Sequence, residues 1–76
     1  MQKLFGEIIK MEREGNEKTQ EEVAEKLHVS KQYVSAVERG EKNITASEFE
    51  NFLVASGSSL EKFVMKYLKL EIVNTN

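Results

Sequence analysis

The sequence predicts an all-α domain, five helices packed as one compact unit, and three observations predict it. The 76 residues contain no proline and are rich in the helix formers Glu and Lys, so nothing in the chain interrupts helix by force. Apolar residues recur at three- and four-residue spacing between short polar breaks. Three segments, Thr19-x-x-Glu22, Thr45-x-x-Glu48 and Ser58-x-x-Glu61, each place a hydroxyl and a carboxylate at capping-box spacing ahead of an apolar run.

The elements follow in order. Leu4, Ile8 and Met11 form the apolar stripe of a first helix, widened by Phe5 and Ile9, and Gly15-Asn16 ends it. A second helix runs from about Thr19 to Leu27 and buries Val23, Ala24 and Leu27. After the break His28-Val29-Ser30, Ser30 caps a third helix that buries Val34 and Val37 and closes at Gly40 in a left-handed cap. The fourth spans roughly Ala46 to Ala55, with Phe49, Phe52 and Leu53 inward and Ser56-Gly57 as its stop. The fifth starts near Ser59 and buries Leu60, Phe63, Val64, Tyr67 and Leu68. Leu68, Leu70 and Ile72 alternate like a strand, while Leu68 and Ile72 also fit a continuing helix.

Composition narrows the function. With no cysteine there is neither a disulfide nor a thiolate zinc site, and a lone His28 does not make a metal centre. No metal or other cofactor is expected. No apolar run reaches the roughly 20 residues of a membrane span, and no signal-peptide core opens the chain. A cytoplasmic protein of one domain, residues 1–76, is the expectation. No pair of glutamates reads as catalytic, so an enzyme is not expected. Lys and Arg number 11 against 13 acids, net −2, which argues against a protein that simply coats nucleic acid.

Two short helices joined by a three-residue turn are the unit of a helix-turn-helix, here spanning about 19–40. Ala24 supplies the small side chain where the helices cross, and His28 stands where the turn needs a left-handed residue. His28 reads as a turn residue before it reads as a pH sensor. Val29 plugs the gap between the helices. The exposed positions on the first turns of the third helix are then Lys31, Gln32, Ser35 and Ala36.

The stretch from Thr19 to Ser30, TQEEVAEKLHVS, resembles the corresponding segment of the lambda-repressor-like (Xre/Cro-type) helix-turn-helix DNA-binding domains. The following KQYVSAVERG, Lys31 to Gly40, is similar to that family's recognition helix and its closing turn. Lys18 replaces an apolar residue, and His28 the usual turn glycine. The resemblance implies a recognition helix, Ser30 to Arg39, in the major groove.

By that resemblance Lys31, Gln32, Ser35 and Ala36 read base edges. An ammonium suits guanine O6 and N7, a side-chain amide pairs with adenine, and a methyl meets a thymine methyl. Gln20, Ser30, Tyr33, Arg39, Lys42 and Asn43 hold phosphates. The bland alternatives are a solvated polar face for the first group and a loop-shaping role for Asn43. Glu38 turns inward, and the family register makes Arg13 its partner.

One such unit neutralises few phosphates, so a homodimer reaching two successive grooves is expected. Leu60, Val64, Tyr67, Leu68, Leu70, Ile72 and Val73 are the apolar residues available for the interface, making 45–73 the support and dimerisation region. The implied function is a sequence-specific bacterial or phage transcriptional regulator, a repressor acting on a palindromic double-stranded DNA operator. The competing reading is a protein-interaction module, such as an antitoxin whose acidic surface binds a toxin. No ligand-sensing domain is expected.

Overall fold

The structure, a computed structural model, describes residues 2–66. Four helices are α1 (Gln2–Gly15), α2 (Gln20–Leu27), α3 (Lys31–Glu38) and α4 (Ala46–Ala55), and residues 60–66 are helical as well, here called α5. There is no strand among the described residues.

The starts of α2 to α5 rest on side-chain caps. Thr19 Oγ1 accepts from Glu22 N at 3.1 Å, while Thr19 N donates to the Glu22 carboxylate at 2.8 Å. Thr45 and Glu48 repeat both bonds at the head of α4. Ser30 Oγ accepts from Tyr33 N at 3.0 Å. The third expected box does not form: Ser59 Oγ, one residue on from Ser58, accepts from Lys62 N and starts α5. Adjacent serines offer the same chemistry, and the register of α5 selects the second.

Each of α1 to α4 ends in the same double bond pattern around one left-handed residue. Glu41 N donates to Ala36 O and Gly40 N to Val37 O, with Gly40 at φ 76°. His28, at φ 57° and ψ 43°, takes that place after α2. The left-handed residue after α1 is Glu17, at φ 57°, one residue beyond the expected Gly15-Asn16 stop. Gly15 stays inside the helix.

Ile9, Val23, Val34, Val37 and Leu53 are fully buried and form the centre of the core with Ile44, Phe49 and Phe52. Each such side chain contributes about 1.5–3 kcal/mol by leaving water. Phe5 stacks on Phe49 with ring centroids 4.5 Å apart, and Phe63 meets Phe49 edge-on at 6.1 Å. These rings carry α1 and α5 onto α4.

The first and last helices depart from the expected stripes. In α1 the buried line is Gly6, Ile9 and Arg13, while Leu4 and Met11 are exposed. A glycine and a paired arginine occupy core positions, which rotates the apolar stripe partly into solvent. In α5, Phe63 packs on the core but Leu60 and Val64 are exposed, so they are not core residues. Tyr67, Leu68, Leu70, Ile72 and Val73, and the choice between strand and helix there, lie outside the described residues.

Candidate nucleic-acid interface

The interface is built from α2 and α3, and a buried charge network fixes how they meet. Arg13 Nε donates to Glu38 Oε2 at 2.7 Å, and Arg13 Nη2 to Glu38 Oε1 at 3.0 Å. Gln20 Nε2 donates to the same Oε1 at 3.0 Å, and Arg13 Nη1 donates to Lys18 O at 2.8 Å. The Glu38 hydrogen bond holds the guanidinium pKa above its ordinary value, against the opposing effect of burial. One carboxylate at the end of α3 therefore ties α1 and the first residue of α2 together. Glu38 faces inward, as expected, and its charge is removed from the outer face.

A close approach of α1 also holds the same end of α3. A Cβ on Gly6 would press on Val37 O and stand 2.7 Å from Glu38 O. The Gln2 amide closes on the backbone beyond α3, accepting from Ile44 N at 2.7 Å. The loop that carries Lys42 and Asn43 is thereby pinned at Ile44, and both residues are exposed.

On the outer face Lys31, Gln32, Ser35 and Arg39 line one shallow concavity. Three of the expected base readers thus lie together with one expected phosphate holder. Ala36 does not join them: it is only 7% exposed and packs inside the domain. Its methyl group is too small to betray a face in the sequence, and the burial corrects the outward placement.

The remaining expected contacts are distributed around this strip. Ser30 is exposed at the cap of α3, and Gln20 is half-buried with its amide on Glu38. Tyr33 is half-buried, its ring 6.3 Å from that of Phe52. Leu60 and Val64 lie exposed on α5.

Both cations of the concavity are matched by carboxylates. Lys31 Nζ lies 3.2 Å from Glu21 Oε2. Arg39 Nε donates to Glu41 Oε2 at 2.8 Å and Arg39 Nη2 to Glu41 Oε1 at 3.1 Å, while Nη1 donates to Ser35 Oγ. The Arg39 hydrogen bond is the main reason that the Glu41 carboxyl titrates below its ordinary value. Glu21 is lowered first by its own backbone N–H and then by Lys31. These partners were not legible in the sequence. Glu21 and Lys31 meet only once the helices cross, and Glu41 returns to Arg39 only through the turn at Gly40.

The order and lengths of these helices, the left-handed turn at His28 and the outward strip of α3 define a helix-turn-helix. A family model described as helix-turn-helix matches residues 9–63, most of the chain. The chain belongs to the lambda-repressor-like helix-turn-helix family of DNA-binding regulatory domains, which is not an enzymatic one. No curated protein and no solved structure matches it. No helix among the described residues is long and apolar enough to cross a membrane.

Proposed function

We propose that this DNA-binding domain acts as a sequence-specific transcriptional repressor in a bacterial or phage setting, as a homodimer on a palindromic operator. The observation that carries the reading is the shared concavity of Lys31, Gln32, Ser35 and Arg39, with Glu38 turned away beneath it. Lys31 and Gln32 read base edges at the entry of α3, and Ser35 adds an adaptable contact. Gln20, Ser30, Tyr33, Arg39, Lys42 and Asn43 hold the backbone on either side. Ala36, being buried, takes no part.

Dimerisation follows from arithmetic. Two copies about 34 Å apart meet successive major grooves on one face of the duplex. Leu60 and Val64 supply exposed apolar surface on α5, and Tyr67, Leu68, Leu70, Ile72 and Val73 extend the apolar sequence beyond it. The contact is isologous.

A mobility-shift assay with the DNA upstream of the protein's own gene tests the reading. The wild type retards that DNA, and Lys31→Ala/Gln32→Ala loses binding while keeping its helical circular dichroism. No wild-type binding at low salt would count against that operator. A monomer in light scattering at tens of micromolar would remove the homodimer.

A further inference from the structure

Each of the two cations that line the concavity on α3 is paired with a carboxylate from outside it, and the two acids come from different elements. Glu21 stands on the first turn of α2, where its carboxylate meets its own backbone N–H and Lys31. Glu41 stands after the turn at Gly40, where both its oxygens meet Arg39. A carboxylate in either place presents to the cation what a DNA phosphate presents: anionic oxygens at hydrogen-bond distance. Gln32, between these two pairs, bears no charge.

We propose that Glu21 and Glu41 are built-in phosphate mimics, occupying the DNA-facing cations of the free protein and muting its sequence-independent affinity for DNA. The inference rests on the DNA-binding reading and extends it to residues that touch no base. When DNA arrives, Arg39 exchanges one oxyanion for another, so a bare phosphate gains little. The displaced carboxylate stays beside the duplex and retains a counterion there. Each guarded cation therefore adds less to net counterion release than the roughly 0.9 ions expected for an unguarded contact. Base contacts by Gln32 carry no such offset. The domain thus keeps its sequence-dependent contacts while its charge-driven adhesion is weakened, in keeping with its net charge of −2.

The test measures binding of the full chain to a random-sequence 24-base-pair duplex against salt concentration, by fluorescence anisotropy. Three proteins are compared: wild type, Glu21→Gln/Glu41→Gln, and Glu50→Gln/Glu61→Gln as a variant of equal charge altered on α4 and α5. The first variant is expected to bind about tenfold tighter at low salt, with a salt slope steeper by about 1–2. The equal-charge control stays within about twofold of wild type at low salt, with the wild-type slope. Binding by the Glu21/Glu41 variant alone, with wild type below detection, also supports the proposal. Equal gains in both variants mean a general charge effect and overturn it. Unchanged slope and affinity in a wild type that binds DNA overturn it while leaving the DNA-binding reading intact. No binding by any of the three overturns both. Circular dichroism melts of each variant establish that the fold is retained.

Discussion

The Arg13 guanidinium grips the Glu38 carboxylate from two nitrogens, at 2.7 and 3.0 Å, joining residues 25 positions apart. The Glu38 side chain is 3% exposed and that of Arg13 11%. A pair buried to this degree is costly to break from one side, because the surviving charge keeps its desolvation penalty and loses its partner. Arg13→Ala is expected to lower stability by about 3 kcal/mol, a Tm drop of about 12 °C or more for a domain this small. Thermal unfolding checks it, and an unchanged Tm would contradict the pair's structural role.

Gly6 is the second point where α1 is held against α3. A methyl group there would meet two backbone carbonyls, which have no flexible end to move aside. Gly6→Ala is expected to lose about 1–3 kcal/mol, as over-packing does, despite the better helix propensity of alanine. A denaturant melt with a raised midpoint would show that α1 does not approach so closely.

How far these features were legible depends on the residues concerned. The helix-turn-helix could be read because its turn, its small crossing residue and its capped entries are local features of sequence. Arg13 and Glu38 could be paired only through the family register, and the geometry agrees. The orientation of α1 was hidden, since its buried line runs through a glycine and an arginine and apolar spacing detects neither. Ala36 and the Glu21–Lys31 contact depend on how helices cross, which no local pattern encodes.

Glu17 offers a gain. It adopts φ 57° at the end of α1, where a Cβ costs energy and a negative charge opposes the helix dipole. Glycine relieves both but loses more chain entropy on folding. Glu17→Gly is expected to raise stability by about 0.5–1 kcal/mol, read as a Tm increase of several degrees. A fall in Tm would mean that the left-handed cap is not formed.

Acid should weaken the fold through its capping carboxylates. Glu22 titrates below its ordinary value, chiefly because Thr19 N donates to it. A folded-state pKa below the unfolded one gives stability that is complete above the unfolded value and lost as pH falls through the folded value. Stability is therefore expected to decline below about pH 4.3. In Glu22→Gln that decline is shallower, and its Tm approaches the wild type's at the acid end. Parallel pH profiles would contradict the assignment.

The proposed DNA-contact face is the outer strip of α3, carried on the Arg13–Glu38–Gln20 network. The most direct measurement is an amide 1H–15N titration of the protein with a duplex selected by it from a random pool. The largest shifts are expected on Gln20, Ser30, Lys31, Gln32, Ser35 and Arg39, with small ones along the middle of α1. Shifts concentrated on α1 and α5, with α3 unmoved, would contradict it.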